Sequence, residues 1–305
     1  MNSETTLSII IVTMNRREQL LAALESCRQS KLPDCTEFII IDNASTDGTG
    51  SVVEKYFAAQ NRYFYQYKCL SENRGAGSGR NEGFKLAKGK YLYFLDDDGV
   101  IDNACKDIFF IKSIELMDHN RDIATLTTRV WDEALQDDRK VVVSSKNRIN
   151  GYPTICTIHG GSSFFRTSVF EAPLYPGFRY GAEEFMPSFY TLDKGLYNLY
   201  VPEIVMIHKP RINKWADGSL SRRDVISKYN AGIFAVKYLM YPAIFRPLLL
   251  VAFIVRWYVH LRKFNGALKT SYAIFKERTR GATFRKIKFG TVVRIFKEFG
   301  VGAGV

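Results

Sequence analysis

Three consecutive carboxylates, Asp96, Asp97 and Asp98, follow the apolar run YLYFL at residues 91–95. Adjacent carboxylates repel one another, so solvent, a cationic partner or a metal ion must offset the repulsion. Mg²⁺ and Mn²⁺ prefer oxygen ligands and keep open positions for phosphate and water. The cluster is therefore either a solvated acidic loop or part of a site for a divalent cation, and the neighbouring elements decide between these two interpretations.

The first two-thirds of the chain alternates short apolar runs with helical patterns. LSIIIVT (7–13), TEFIIID (36–42) and KYLYFL (90–95) are rich in β-branched or aromatic residues and typical of strands buried on both faces. Helical spacing follows the first two runs, and a glycine-rich loop at 74–89 leads into a further helix. This rhythm predicts an α/β fold with a parallel, doubly wound sheet.

Polar side chains stand where the predicted strands end, at Thr13, Asp42 and Asp96–Asp98. The carboxyl ends of parallel strands share one edge of the sheet, and ligands bind beyond that edge. The acidic cluster is thus predicted to lie in a ligand site rather than in an ordinary loop.

After residue 120 the pattern loosens. IATLTTRV (123–130) predicts a strand, and the polar segment 132–150 predicts a hairpin or a mobile loop. Residues 178–195 predict a loop entering a short helix with Glu183 and Glu184 in its first turn, where acidic residues also favour the helix dipole. The final apolar run, at 196–209, predicts a strand that carries His208.

Six motifs occur in one order along the chain: LSIIIVTMNR, IIIDNASTDGT, NRGAGSGRNEGFKLAKGKYLYFLDDD, GGSSFFR, GAEE and YVPEIVMIHK. Together they resemble the family 2 glycosyltransferases, and the resemblance covers residues 7–209. It implies a GT-A domain, Rossmann-like with a mostly parallel central sheet, over residues 1–210. It also implies inverting transfer of a sugar from a nucleotide-sugar donor. Within the family the chain is similar to bacterial rhamnosyl- and galactofuranosyl-type transferases of surface polysaccharides.

The resemblance implies that Asp96, Asp98 and His208 bind a Mn²⁺ or Mg²⁺ cofactor, with Asp98 as the most direct ligand. Such a cation neutralises the charge that grows on a leaving diphosphate. The acceptor hydroxyl needs a base, and a carboxylate with a pKa of about 4 is ionised at neutral pH. In the family this base is the second residue of an acidic pair, usually Glu-Asp. The pair here is Glu183–Glu184, and Glu184 is the expected base.

The same resemblance implies which residues contact a UDP-, dTDP- or GDP-linked sugar. Asp42 is expected to accept a hydrogen bond from the base, with Asn43 or Asp47 in support. Arg74, Gly75 and Arg80 belong to the predicted glycine-rich loop, whose glycines permit close approach of phosphate. Gly160 and Gly161 are expected to line a sugar. The full expected set is Thr13, Asn15, Arg16, Asp42, Asn43, Arg74, Gly75, Arg80, Asp96, Asp97, Gly160 and Gly161.

The charge is distributed unevenly along the 305 residues. Residues 208–305 contain 20 of the 43 Lys and Arg but only 4 of the 31 Asp and Glu, a net charge of +16, whereas residues 1–207 sum to −4. Residues 211–305 therefore predict a basic helical region. Apolar residues interleaved with Lys, Arg, Tyr and Trp at 228–263 favour helices lying in the interface of an anionic bilayer. Packing on the catalytic domain or a homo-oligomer contact is the alternative.

Location and partners follow from the same features. The five cysteines form no CxxC pair and the N-terminus shows no signal-sequence pattern, which favours the reducing cytoplasm, on the inner face of the membrane. The resemblance implies a saccharide acceptor, often linked to polyprenyl diphosphate. The basic region carries no recognised nucleic-acid-binding motif, so no nucleic-acid partner is expected.

Two other functions fit parts of the pattern. A nucleotidyltransferase shares a nucleotide-binding parallel sheet and an acidic metal site, but the glycine-rich loop with Lys or Arg after the first strand is missing. The second is a non-catalytic scaffold with the same fold, whose function would be carried by the basic C-terminal region. A nicotinamide enzyme is disfavoured because GAGSGRNEG has G-x-G-x-G spacing and follows the third strand.

Overall fold

The computed structural model describes residues 5–60, 63–177, 181–210, 222–261, 272–273, 275–276 and 284–305. Its strands are β1 Leu7–Thr13, β2 Thr36–Asp42, β3 Phe64–Cys69, β4 Tyr91–Asp96, β5 Gly99–Ile101, β6 Ile123–Asp132, β7 Asp137–Asp138, β8 Val143–Ile149, β9 Tyr152–Ile155, β10 Ser162–Arg166 and β11 Tyr197–His208. Its α-helices are α1 Arg17–Gln29, α2 Thr49–Gln60, α3 Ala76–Leu86, α4 Phe109–His119, α5 Phe185–Asp193, α6 Arg222–Met240, α7 Arg246–Leu261, α8 Phe289–Phe299 and α9 Val301–Gly304. Short 3₁₀ turns occupy Thr167–Val169 and Ala243–Phe245.

One mixed sheet organises the fold, in the order β3-β2-β1-β4-β10-β6-β11-β9-β8. Strands β1, β2, β3 and β4 are mutually parallel, and β6 and β11 run in the same direction. Strand β10 is antiparallel to both β4 and β6. The mostly parallel central sheet predicted from the sequence is therefore confirmed, with one reversed strand inserted at its centre.

The central strands are apolar on both faces because helices cover both. Ile9 and Ile11 of β1 pack in one cluster with Leu20 and Leu24 of α1. Ile10, which points the other way, packs in a second cluster on the opposite face. Continuous burial of this kind explains why these runs lack the alternating polar residues of a half-exposed strand.

Helix α3 approaches β1 closely, and this explains two glycines of the glycine-rich segment. A Cβ atom on Gly83 would lie 2.4 Å from Ile10 Cγ2, and one on Gly79 would lie 2.5 Å from Val12 Cγ1. Both glycines are therefore needed for helix–strand packing. The segment was expected to be a phosphate-binding loop through residue 80, but the helix already begins at Ala76.

Two further expectations are refined by the structure. The segment 132–150 contributes to two hairpins. Strand β7 pairs antiparallel with the end of β6, and β8 pairs antiparallel with β9 around a turn at Asn150 and Gly151. Helix α5 begins at Phe185, so Glu183 and Glu184 precede the first turn in which they were expected. Glu184 occupies the N-cap position, yet its side chain makes no capping hydrogen bond.

The basic C-terminal helices pack on the α/β unit through an apolar cluster. Phe189 of α5 is buried in that cluster with Val236 of α6 and with Val292 and Ile295 of α8. Residues on both sides of the predicted domain boundary at 210/211 therefore share one core. The predicted boundary at 210/211 adjoins residues 211–221, and these lie outside the described residues.

Helix α7 presents an apolar outer face. Between 45% and 61% of the surface of each of these side chains is exposed: Leu248, Leu250, Val251, Ile254, Val255 and Val259. Among the described residues, no helix combines the length and hydrophobicity that crossing a bilayer requires.

Candidate active site

The three carboxylates lie at the carboxyl edge of the sheet, where β1 and β4 end side by side. Thr13 donates a hydrogen bond of 2.8 Å to Asp97 Oδ2, and Arg16 Nη1 lies 2.9 Å from Asp97 Oδ1 and 2.7 Å from Asp98 Oδ2. Arg16 thus offsets part of the repulsion within the cluster. Burial still raises the pKa of Asp97 to about 6, because the stabilising charge of Arg16 compensates only in part.

Asp96, Asp98 and His208 form a cluster that could hold a metal ion, since one ligand atom from each lies within 4.8 Å of the others. His208 Nε2 is 3.3 Å from Asp98 Oδ1. Burial disfavours the charge on both groups. Their contact nevertheless holds the pKa of Asp98 below its ordinary value and that of His208 above it. Two carboxylates and one imidazole suit Mn²⁺ by donor chemistry, and the carboxylates also suit Mg²⁺. That these three residues bind a metal stays a prediction.

Arg80 of α3 connects the cation cluster to the acidic pair. Its side chain is only 6% exposed, with Nη2 2.6 Å from Asp96 Oδ1 and Nη1 3.1 Å from Glu183 Oε1. Planar guanidinium groups suit such paired contacts with carboxylates. Arg80 was expected on a loop near phosphate. It lies in α3 instead and forms ion pairs with two acidic groups, while its contact with a nucleotide sugar stays a prediction. The other oxygen of Glu183, Oε2, is buried and has no hydrogen-bond partner among the described residues.

Glu184 differs from Glu183 in that it has no cationic partner in the described part of the chain. Its carboxylate is half-buried, and Tyr229 Oη of α6 lies 3.5 Å from Oε1. Burial, reinforced by the negative charge of Glu183, raises the pKa of Glu184 to about 8. A carboxylate with such a pKa is a stronger proton acceptor when ionised than an ordinary one. The contact from α6 was not expected, because it comes from the predicted C-terminal region.

The loops after β1 and β2 are built by their own polar side chains. Asp42 Oδ1 accepts a hydrogen bond of 2.7 Å from the Ser45 amide, and Asn15 Oδ1 accepts one of 2.7 Å from the Thr46 amide. Asp47 accepts hydrogen bonds from the backbone amides of Arg17 and Thr49. Asn15 also has a positive φ of 52°. These contacts give the expected donor-binding residues a structural role in shaping the edge of the site.

The segment before α3 joins the same edge. Asn43 Nδ2 donates to the Gly75 carbonyl oxygen over 3.2 Å, and Gly75 has a φ of 83°, which favours glycine. Arg74 is half-exposed and lies 3.4 Å from Glu72, which leaves its guanidinium near solvent.

Gly160 lies next to the side chain of Arg80, and Gly161 lies next to that of Asp96. A Cβ atom on Gly161 would lie 1.9 Å from Asp96 Oδ2, so only glycine fits beside that carboxylate. The nearest atom to a Cβ on Gly160 would be Arg80 Nη1, at 3.5 Å. Gly161 therefore fixes the space available to Asp96, a role that the sequence analysis did not assign to it.

Asp132 and Arg139 both contact His208 at this site, and neither was predicted from the sequence. Asp132 ends β6 just as Asp96 ends β4, and its Oδ2 is 3.0 Å from His208 Nδ1. Arg139 Nη2 lies 2.9 Å from the same ring nitrogen. A signal was present, since Asp132 lies two residues after the predicted strand 123–130, but the strand order that brings it beside His208 was unknown.

A profile for the family described as Glycosyl transferase family 2 matches residues 8–172, more than half of the chain. The chain belongs to glycosyltransferase family 2. This confirms the resemblance drawn from the six motifs, although the type of sugar is not fixed by the match.

This family 2 glycosyltransferase has bacterial relatives that match over shorter segments. Glycosyltransferase YfnE of Bacillus subtilis is 38% identical over 101 residues, which are 33% of this chain and 24% of that protein. The UDP-Glc:α-D-GlcNAc-diphosphoundecaprenol β-1,3-glucosyltransferase WfaP of Escherichia coli is 35% identical over 93 residues, 30% of this chain and 34% of that protein. The chain spans only 24% to 37% of the first curated relatives that it matches.

The fold of this glycosyltransferase is shared with the mannosyltransferase PcManGT from Pyrobaculum calidifontis, solved in complex with GDP-Man and Mn²⁺. The TM-score is 0.61 at 17% identity, and the likeness covers 97% of this chain and 80% of that one. At this identity the likeness shows the fold alone. The GT-A architecture predicted from the sequence is confirmed.

Proposed function

We propose that the chain transfers a sugar, with inversion, from a nucleotide-sugar donor to a saccharide acceptor linked to polyprenyl diphosphate, in bacterial surface polysaccharide synthesis. The observation that carries this proposal is the chain of contacts Asp98–His208, Asp96–Arg80 and Arg80–Glu183. Together with the proximity of Asp96, Asp98 and His208, these contacts connect a group of side chains that could hold a cation to the acidic pair at the edge of one sheet. Leaving-group stabilisation and proton removal are the two tasks that glycosyl transfer requires.

Asp96, Asp98 and His208 would hold a divalent cation, which supplies Lewis-acid stabilisation of a leaving nucleoside diphosphate. Thr13 and Arg16 hold Asp97, and Asp42 shapes the loop where we place the nucleotide base. The donor would be a UDP-, dTDP- or GDP-linked sugar, with rhamnose and galactofuranose among the candidates. WfaP, whose name specifies a UDP-sugar donor and an undecaprenol-linked acceptor, supports the donor class and the acceptor class.

Glu184 would act as the base. In the ionised form it would take the proton of the acceptor hydroxyl as the oxygen attacks the sugar on the face opposite the leaving diphosphate. One displacement of this kind inverts the anomeric centre. Glu183 is held by Arg80, and its Oε2 has no hydrogen-bond partner among the described residues, so Glu183 would accept a hydrogen bond from a sugar hydroxyl.

The outer face of α7 supports association with an anionic bilayer. Its exposed apolar side chains can enter the interface, while the net charge of +16 over residues 208–305 attracts acidic lipids. A second copy of this chain would bring a like charge to the same face, which disfavours self-association there. Docking on the inner face of the membrane would place the site near a lipid-linked acceptor.

Thermal shift with a panel of nucleoside diphosphates, with and without Mn²⁺, tests the donor site. We expect one nucleotide to stabilise the protein only when Mn²⁺ is present, and Asp98→Ala to abolish that shift. Asp107→Ala, which removes an exposed carboxylate outside the site, is the matched control and should respond as wild type does. No shift with any nucleotide, or an undiminished shift in Asp98→Ala, would contradict the proposal.

Sedimentation with lipid vesicles tests the membrane proposal separately. Wild-type protein should sediment with vesicles rich in phosphatidylglycerol and not with neutral phosphatidylcholine vesicles. The double variant Val251→Glu/Val255→Glu should lose most of this binding, whereas the same two substitutions to Ala should keep much of it. Equal sedimentation of both variants would show that α7 does not contact the bilayer.

A further inference from the structure

His208 and Asp132 are neighbours because the sheet places them side by side. Each is the last residue of its strand, and they are partners in the parallel ladder between β11 and β6. Gly99 of β5 flanks His208 on the other side in an antiparallel ladder. His208 is therefore held between the strand that carries Asp132 and the turn that carries Asp98.

The carboxylate of Asp132 is buried and fully engaged. Its Oδ1 accepts hydrogen bonds from the backbone amides of Ala134, at 3.0 Å, and Leu135, at 3.2 Å. Its Oδ2 accepts one from Arg139 Nε, at 3.0 Å, and lies 3.0 Å from His208 Nδ1. Only 3% of the surface of Asp132 is exposed, so water cannot easily replace these partners.

The contacts of His208 with Asp132 and Arg139 bear on which ring nitrogen carries a proton. Arg139 Nη2 lies 2.9 Å from Nδ1 and 3.2 Å from Nε2, so it contacts both nitrogens and does not select between them, whereas the Asp132 carboxylate contacts Nδ1. An ionised carboxylate only accepts hydrogen bonds, so the Nδ1 that faces Asp132 must be the N–H. The lone pair of the neutral ring is then on Nε2, which faces Asp98 Oδ1 at 3.3 Å. An imidazole lone pair and a carboxylate oxygen at this distance repel unless a proton or a cation lies between them.

We propose that Asp132 is a positioning residue for the cation site. It fixes His208 in the tautomer and orientation that present Nε2 to a metal shared with Asp98. Arg139 in turn holds the Asp132 carboxylate in place through the hydrogen bond that its Nε donates. This inference rests on the proposed metal site and adds a residue to it that does not touch the metal. Outer carboxylates of this kind commonly change metal affinity by about 10- to 100-fold.

Mn²⁺ titration of the purified full chain, followed by the electron paramagnetic resonance of free Mn²⁺, tests the proposal. Asp132→Asn keeps the size of the side chain but can donate from its amide to Nδ1, which favours the wrong tautomer. We expect it to weaken Mn²⁺ binding by about 10- to 100-fold. Asp138→Asn is the matched control, because Asp138 pairs with Arg129 instead, and it should bind as wild type does.

A double-mutant cycle separates positioning from a general structural role. In a His208→Ala background, Asp132→Asn should cause no further loss of Mn²⁺ affinity, because the group that it orients is gone. An equal loss in both backgrounds, or wild-type affinity in Asp132→Asn, would overturn the proposal. If Asp98→Ala weakens Mn²⁺ binding while Asp132→Asn does not, the metal site stands and only this inference fails. If wild type does not bind Mn²⁺, both fail.

Nitrogen-15 NMR of the histidines reads the tautomer directly and needs no Asp132 variant. The chain contains 4 histidines, and the His208→Ala spectrum assigns the signal of interest. In the diamagnetic Mg²⁺-loaded protein we expect a protonated Nδ1 and an unprotonated Nε2. The opposite tautomer would refute the proposal even if Asp132→Asn failed to fold.

Discussion

Glu184 should give the enzyme an alkaline pH dependence. Burial and the adjacent charge of Glu183 raise its pKa to about 8 from an ordinary value of 4.5. If Glu184 is the base, about 9% of the protein is active at pH 7 and about 91% at pH 9, so the rate should rise about tenfold. Asp97, with a pKa of about 6, is already mostly ionised at pH 7, so the rise above pH 7 reports Glu184.

The assay is the initial rate of nucleoside diphosphate release, at subsaturating donor, with the donor identified by the thermal shift panel. Glu184→Gln should lose nearly all activity, whereas Glu54→Gln on the exposed surface of α2 should keep it. Glu183→Gln removes the like charge, so any residual activity should reach its midpoint at a lower pH. A flat profile between pH 7 and 9, or substantial activity in Glu184→Gln, would refute the assignment.

The same raised pKa has a consequence for stability, with a defined sign. The folded protein keeps a proton on Glu184 that the unfolded chain releases, so folding stability falls as pH rises between about 4.5 and 8. Glu184→Gln cannot lose a proton and should therefore melt at a higher temperature than wild type at pH 8.5. At pH 4.5 the two should melt alike. Equal melting temperatures at both pH values would mean that Glu184 has an ordinary pKa.

Three other changes test the packing around the site. Gly161→Ala should displace Asp96 and weaken Mn²⁺-dependent nucleotide binding at least tenfold in a titration, whereas Gly160→Ala, with 3.5 Å of clearance, should bind nearly as wild type does. Arg80→Met leaves two carboxylates without their cation and should cost about 3–5 kcal/mol in urea unfolding; a loss below about 1 kcal/mol would show that the bridge is not needed. Ile295→Ala should cost about 2–5 kcal/mol if α8 belongs to the common core, and a separate early melting transition would contradict that.

The central strands could be predicted from the sequence because a strand that is buried on both faces appears in the sequence as a continuous apolar run. The runs that became β1, β2 and β4 are continuous and apolar, and each ends in the polar residues of the site. The residues Asp96, Asp98 and His208, proposed from ordered motifs, do lie together in the structure. Whether they bind a metal is for the titrations above to decide.

The boundaries near the acidic pair were less predictable. Glu183 and Glu184 were expected inside a helical turn, but α5 begins only at Phe185. Ala182 and Gly181 just before the pair both have positive φ values, so the chain turns sharply there. Residue types alone did not indicate this turn, because alanine rarely adopts a positive φ.

The sequence by itself determined the α/β class, the edge of the sheet that carries the site, and the separation of an acidic body from a basic C-terminal region. The α/β class and the edge of the sheet follow from residue patterns within single strands and helices. The separation of the two regions follows from the distribution of charge along the chain. Only the tertiary structure decided that Arg80 bridges Asp96 and Glu183, which are 16 and 103 residues away along the chain. The same holds for Asp132 and His208, which are 76 residues apart. Such contacts depend on strand order and register, and these are fixed by how the whole sheet packs.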